Sequence, residues 1–243
     1  MRIAIIADIH ANLEAASAVL AEIDRLNPDK TVCLGDLAGY NSQPNEVIEL
    51  IRAREIPTLM GNHDAAACGN EDTWFFRSSA KKAIDWQAGQ LREDNREWLK
   101  ALPVQLAFDR VCLGVHGSPG NRDDYIVDWL DAMRQLSHLK NPDTMVCFFG
   151  HSHRASFFSE RGGHFATTAG TVHELRPRNR YFINPGAVGQ PRDRDPRAAF
   201  GLFDSDRMTF EFCRVEYDVA AAAQKNIKAG LPSDLAARLI KGV

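Results

Sequence analysis

The chain has 243 residues, a formal net charge of −3 and an apolar content of 44%. This composition is typical of a globular chain with one sizeable core, and we expect a single domain over residues 1–243. The slightly acidic balance excludes a basic surface for wrapping nucleic acid or binding an anionic membrane, so we expect a small substrate as partner. Self-association stays open.

No apolar stretch is long enough to span a bilayer, and Asp8 interrupts the N-terminal apolar run before it reaches the length of a secretory segment. The cysteines are odd in number and lack CxxC spacing, and four of them lie in apolar runs typical of reduced core residues. We therefore expect a cytoplasmic protein with no membrane partner.

The first quarter of the chain alternates short apolar runs with amphipathic segments. Residues 2–7 predict a strand, and the helical spacing of apolar residues after Asn12 predicts a helix capped by that residue. A strand at 31–34, a helix at 44–53 and a third strand at 56–60 follow. This order favours a mostly parallel sheet, whose strands carry ligands at their carboxyl ends.

The rest of the chain adds both element types. We predict helices at 80–90, 95–101, 129–139, 219–228 and 233–241. We predict strands at 104–108, 111–115, 145–149, 156–159, 180–183, 199–203 and 208–215, the first two of these paired. The sum is a two-sheet α/β sandwich. The run TWFFR at 73–77 is interpreted as packing a loop onto the core, with a lid over a substrate as the alternative.

Five predicted strands end in short polar clusters, which contain five of the eight histidines. Each cluster alone is compatible with a turn, a helix cap or a surface histidine. Their recurrence after apolar runs places two carboxylates, an amide and several imidazoles at one sheet edge, as a pair of divalent metals requires. The clusters are Asp8-Ile9-His10, Gly35-Asp36, Gly61-Asn62-His63-Asp64, His116-Gly117 and Gly150-His151-Ser152-His153.

In this order and spacing, the motifs DIH, GD, GNHD, HG and GHSH resemble those of the calcineurin-like metallophosphoesterase superfamily. The segments DIHANLEA and NPGAVGQPR (residues 184–192) resemble its small bacterial and archaeal phosphodiesterase branch. The resemblance implies a four-layer α-β-β-α sandwich, in which two mixed sheets are flanked by helices, with a binuclear metal centre.

The resemblance also implies the ligands of two divalent transition-metal ions. Asp36 would bridge them, because a carboxylate can join cations about 3.5 to 4 Å apart. Nitrogen and oxygen donors without thiolate suit Mn, Fe, Zn, Ni or Co, and manganese is the first expectation. The first ion would be held by Asp8, His10, Asp36 and His153, and the second by Asp36, Asn62, His116 and His151.

The implied reaction is attack on phosphorus by a hydroxide that bridges the two metals. His63 would protonate or stabilise the leaving group, and Asp64 would orient His63 and keep it protonated.

Substrate preference is inferred from two positions at which protein phosphatases of the superfamily carry arginines that clamp a phosphomonoester. These positions are Tyr40 and Met60 here, so we expect phosphodiesters, including nucleotide-type esters. Arg77, Arg122 or Arg154 could replace the clamp, and the alternating charges at 191–197 are interpreted as compensating one another on the surface.

The alternatives are phosphomonoesterase or protein-phosphatase-like activity, and a non-catalytic interaction scaffold on the same fold. A nuclease is disfavoured by the acidic balance.

Overall fold

In the computed structural model, which describes residues 1–74, 76–163 and 167–243, the chain forms two five-stranded sheets flanked by helices. The predicted α/β sandwich is thereby confirmed. Phe75, within the run considered as a packed loop or lid, lies outside the described residues. The strands are β1 Arg2–Ile6, β2 Lys30–Cys33, β3 Gln105–Phe108, β4 Cys112–Val115, β5 Val146–Phe148, β6 Ser156–Ser159, β7 Val172–Glu174, β8 Tyr181–Asn184, β9 Ala198–Asp204 and β10 Thr209–Val215.

Helices cover the outer faces of the sheets. Asn12 caps the first helix as predicted, since its side chain accepts a hydrogen bond of 3.1 Å from the backbone N–H of Ala15. The helices are α1 Leu13–Leu26, α2 Pro44–Ala53, α3 Asn62–Cys68, α4 Ser78–Gln90, α5 Glu93–Lys100, α6 Trp129–Arg134, α7 Val219–Lys228 and α8 Ser233–Lys241, with a 3₁₀ turn at Gln135–His138. No helix within these described ranges is both long and apolar enough to cross a membrane.

Both sheets are mixed. The first has the strand order β2-β1-β9-β10-β7, in which β1 and β2 are parallel and the other neighbours antiparallel. The second has the order β3-β4-β5-β8-β6, in which β4, β5 and β8 run parallel. The parallel strands β1, β2, β4 and β5 all end in segments that carry the polar clusters. These clusters therefore lie at the same edge of the sandwich.

The core follows from the alternation of side chains along each strand. In β1, Ile3 and Ile5 pack between the sheets in a cluster that includes Phe148 and Phe210. Ala4 and Ile6 belong to a second cluster under the helices that include α1 and α2. Strand β1 is therefore fixed from both faces, which gives the loop at its end a rigid support.

One local prediction is wrong, and two elements were not predicted. Residues 56–60 form a single parallel bridge between Cys33 and Thr58 instead of a strand. Pro57 has no N–H to donate, which limits the ladder that this segment can form. The chain then turns directly into α3, which was not predicted, so His63 and Asp64 lie on a helix and not in a loop. The short edge strand β7 was also not predicted.

Two glycines give a matched test of this packing. A Cβ at Gly201, in the middle of β9, would lie 2.1 Å from the Phe210 ring, whereas a Cβ at Gly89, in α4, meets no atom within 4 Å. We expect Gly201→Ala to lower the free energy of unfolding by about 1–3 kcal/mol through overpacking. Gly89→Ala should raise it by about 0.5 kcal/mol through helix propensity. Urea unfolding measures both, and shifts of the same sign would contradict the packing described here.

Candidate metal centre

The predicted clusters meet at one edge of the sandwich. Asp8 and His10 follow β1, Asp36 follows β2, and His116 follows β4. His151 and His153 follow β5, while Asn62 opens α3. All seven side chains that the sequence suggested as metal ligands are buried.

Six of the seven fall into two groups whose donor atoms lie within 4.8 Å of one another. Both groups include Asp36. The same atom, its Oδ2, lies 3.4 Å from Nε2 of His10 and 3.3 Å from Nε2 of His116. The groups, each able to hold a metal ion, are Asp8, His10, Asp36 and His153, and Asp36, His116 and His151.

Asn62 stands at the second group. Its Oδ1 lies 3.1 Å from Nε2 of His116, so an amide oxygen is available there as a ligand without further charge. Gly61 before it allows the close approach, since a Cβ at that position would lie 2.0 Å from Oδ1 of Asp36. The Asp36 carboxylate is also held by the backbone N–H of His63, which donates to Oδ1 at 2.9 Å.

Backbone carbonyls fix the orientation of three of the imidazoles. Nδ1 of His10 lies 2.7 Å from the carbonyl of Ala38, and Nδ1 of His153 lies 2.6 Å from that of Gln190. His116 makes the same contact to Leu34 at 2.9 Å. A carbonyl only accepts, so Nδ1 of each ring carries a proton and Nε2 faces the site, as is common for metal-bound histidine.

Several donor atoms of the two groups have lone pairs that no hydrogen-bond donor satisfies and that a cation could accept. Burial lowers the pKa of His10 to about 4 and the pKa of His153 well below its usual value, so both rings are neutral. Their Nε2 atoms nevertheless lie 3.0 Å apart, with lone pairs and no proton between them. Oδ2 of Asp8, Oδ2 of Asp36 and Nε2 of His151 are buried without a hydrogen-bond partner among the described residues. The residues present therefore fit a divalent metal.

The carboxylates respond differently to burial. Burial raises the pKa of Asp8 to about 7, although His116 opposes this shift. Burial acts on Asp36 in the same direction, but the imidazoles of His116, His63 and His10 hold its pKa well below the usual range. Burial lowers the pKa of His116, yet the charge of Asp36 outweighs it and raises the value to about 9. Without metal, a proton on His116 takes the place of a cation beside Asp36.

His63 lies beside these groups and belongs to neither. Its ring packs 4.7 Å from the His10 ring, 4.6 Å from the Tyr40 ring and 4.8 Å from the Phe76 ring. Nδ1 of His63 is buried and has no partner among the described residues. Phe76 also packs against two core clusters, which agrees with the packing interpretation of its segment.

The expectation that Asp64 orients His63 is wrong. Oδ2 of Asp64 accepts hydrogen bonds from the backbone N–H of Asp36 at 2.8 Å and of Gly61 at 3.0 Å, and Oδ1 accepts from that of Ala38 at 2.9 Å. As the third residue of α3, it reaches back to the residue before the helix, as an acidic residue at this position commonly does. Asp64 therefore ties the loop that carries Asp36 to the start of α3, where Asn62 lies.

Five of the seven candidate ligands have left-handed backbone. Residues other than glycine adopt this conformation at an energetic cost, and such residues cluster at functional sites. Here the turns aim successive side chains into one small volume. The φ angles are +56° for Asp8, +49° for His10, +56° for Asp36, +62° for His151 and +57° for His153.

None of the three arginines suggested as a replacement clamp has a described side-chain contact with a candidate ligand. Arg122 is paired with Glu71, Arg154 is exposed with its Nε donating to the backbone carbonyl of Arg192, and Arg77 is exposed at the start of α4. The structure does bring Arg192 itself to this edge. It donates from Nη2 to the Tyr40 hydroxyl at 2.8 Å and to Oε1 of Gln190 at 3.2 Å.

Arg192 was missed because it was taken together with the charge run that follows it. The interpretation of that run agrees with three of its other charged residues, since Arg197 pairs with Asp195 and Asp193 pairs with Arg214. A signal was present in the sequence, because Arg192 ends the NPGAVGQPR segment on which the resemblance partly rests.

Tyr125 was missed as well. Its ring centroid lies 4.0 Å from that of His151, and about half of the residue is exposed. It therefore forms an aromatic wall at the mouth of the site. The sequence gives no motif for it.

Comparisons with known proteins find similarity over most or all of the chain. A model of the calcineurin-like phosphoesterase superfamily domain matches residues 1–208. An uncharacterized protein of Methanocaldococcus jannaschii is 35% identical over 246 residues, covering 99% of this chain and 98% of that protein. A metallophosphoesterase from Sphaerobacter thermophilus is 37% identical, with a TM-score of 0.88 and complete coverage of both chains. A hypothetical protein from Pyrococcus horikoshii shares the fold at 21% identity, with a TM-score of 0.83 over 100% of this chain and 98% of that one.

Asp36 gives the sharpest test of the centre. Because its Oδ2 serves both groups, we expect Asp36→Asn to lose metal from both together. Elemental analysis after dialysis against manganese should show a cooperative loss, while the exposed control Asp143→Asn keeps the wild-type content. Full metal content in Asp36→Asn would contradict the bridging assignment.

Proposed function

The chain belongs to the calcineurin-like phosphoesterase superfamily, and from that premise we propose that it is a binuclear metal-dependent phosphoesterase that hydrolyses phosphodiesters. The observation that carries the proposal is the single oxygen, Oδ2 of Asp36, shared by two groups of buried donors. One metal site alone would not need a carboxylate between two sets of imidazoles.

Asp8, His10, Asp36 and His153 would hold one ion, and Asp36, Asn62, His116 and His151 would hold the other. Bound there, two divalent cations would supply a nucleophile from water at neutral pH and neutralise charge on the phosphoryl group. The backbone carbonyls behind His10, His116 and His153 keep Nε2 of each ring directed inward. Manganese remains the first expectation among the five metals that suit these donors.

His63 is the group we assign to the leaving oxygen. The orientation of its ring is fixed by packing against His10, Tyr40 and Phe76. This packing replaces the orienting contact that was expected from Asp64. Burial lowers the pKa of His63, so the free protein holds the ring neutral. An anionic phosphate ester beside the ring favours its protonated form, which can then donate to the departing alkoxide.

The phosphodiester preference is supported by the two positions that lack a cation. Tyr40 and Met60 are both buried, and neither can neutralise the second charge of a phosphomonoester. A diester carries one charge fewer and replaces that oxygen by a neutral ester arm. The complete set of donors also favours an enzyme over an interaction scaffold, in which a disused site is free to lose its ligands.

The role of His63 predicts a dissociation of metal binding from turnover. We expect His63→Ala to keep its metal and to lose turnover of alkyl esters by roughly 10²–10⁴-fold, the contribution usual for general acid catalysis. The loss should be much smaller for nitrophenyl esters, because nitrophenolate leaves without a proton. Elemental analysis and kcat for both ester types measure this, and equal losses for the two would rule out the role.

The substrate preference predicts a higher kcat/KM for bis-(p-nitrophenyl) phosphate than for p-nitrophenyl phosphate. A missing charge-assisted contact costs about 1.5–3 kcal/mol, which is roughly ten-fold to a hundred-fold in specificity. Both esters share one leaving group, so the ratio at fixed pH and metal content reports the charge of the phosphoryl group. A preference for the monoester would show that the protein clamps a dianion.

A further inference from the structure

Two arginines gather at the Tyr40 ring on the edge of the candidate metal centre. The guanidinium carbon of Arg192 lies 5.4 Å from the ring centroid, and that of Arg238, on α8, lies 5.7 Å from it. Arg192 also donates to the Tyr40 hydroxyl. The two cations therefore share one tyrosine, and that tyrosine packs 4.6 Å from each of the His10 and His63 rings.

Neither arginine forms an ion pair with an Asp or Glu within 4.0 Å among the described residues, whereas two other arginines of this region do. Arg197 pairs with Asp195, and Arg214 pairs with Asp193. Arg192 is bound only to neutral oxygens, those of Tyr40 and Gln190. The side chain of Arg238 donates to the oxygen of Val243, the last residue of the sequence, at 2.8 Å.

The two positive charges influence each other and the centre. Burial and the charge of Arg192 both lower the pKa of the Arg238 guanidinium. The charge of Arg192 also acts on His153 and Asp8, so it lies within electrostatic reach of the first metal group. Beside it, the buried Nε2 of Gln190 has no acceptor among the described residues. An anion at this place would compensate two like charges.

We propose that Arg192 and Arg238 form a subsite that binds a second phosphate group of the substrate, adjacent to the phosphoryl group that reacts at the metal centre. The inference rests on the proposed function and narrows its substrates to esters or anhydrides in which one arm of the scissile phosphorus carries a further phosphate. Nucleotides and polyphosphates are the chemical class that offers this pattern.

The position of Arg192 is the reason for assigning a second phosphate and not the scissile one. Its guanidinium stands at the hydroxyl end of Tyr40, while the tyrosine ring packs against His10 and His63. It lies more than 4.0 Å from the carboxylates of Asp8 and Asp36, which would share the metals with the scissile group. Arg192 is thus next to the ligand groups but not inside them.

The first arm of the test uses metal-free protein, in which no bound cation attracts an anion to the ligand groups. Calorimetric titration with inorganic pyrophosphate should show binding to the wild type. Arg192→Gln should raise the dissociation constant about ten-fold or more, and Arg238→Gln should raise it as well. The matched control is Arg207→Gln. It removes the same charge from a side chain that is 82% exposed and whose Nε lies 3.8 Å from Oδ2 of Asp204. No binding, or equal affinity in wild type and Arg192→Gln, overturns the subsite.

The second arm uses the metal-loaded protein and compares methylenediphosphonate with inorganic phosphate as inhibitors of bis-(p-nitrophenyl) phosphate hydrolysis. Arg192→Gln should lose about ten-fold or more in affinity for methylenediphosphonate and little for phosphate. Equal losses for both would place Arg192 on the scissile group and overturn the proposal. Absence of turnover with all esters would instead contradict the proposed function. The metal-free titration would still decide whether the subsite exists.

Discussion

The burial of two carboxylates among five imidazoles is the constraint on which the rest of the site depends. A buried charge is costly unless it is compensated, and here the main compensation for Asp36 is His116, whose pKa is raised to about 9, while burial suppresses the charged forms of His10 and His63. Sheet packing on both faces of β1 and the carbonyl contacts behind three histidines hold the donors in place against this cost. The arrangement makes chemical sense once a cation shares the space.

Much of the fold followed from periodicity, because strands packed on both faces and amphipathic helices leave strong patterns. Helix α2 and strand β6 begin and end where the sequence predicts. The convergence of the candidate ligands was also predictable, since parallel strands place their carboxyl ends at one edge. That these side chains bind metal remains a prediction, although the structure does bring them together.

What the sequence did not reveal depends on contacts between distant segments. The adjacency of His63 and Asp64 suggested a pair, but α3 points the Asp64 carboxylate back to the backbone of two loops. Arg192 stands 152 positions from Tyr40 in the chain and is indistinguishable by type from its paired neighbours. Only the fold shows which arginine of a charge run contacts Tyr40 at the edge of the candidate metal centre.

The left-handed backbone at five candidate ligands has a consequence for laboratory evolution. Each such turn stores conformational energy that glycine would release, while glycine also removes a donor and, at Asp8 or Asp36, a buried charge. Variants selected only for heat resistance in chelator would therefore tend to discard the centre first. A useful library must screen for retained metal in the same round, because robustness and chemistry are opposed at these positions.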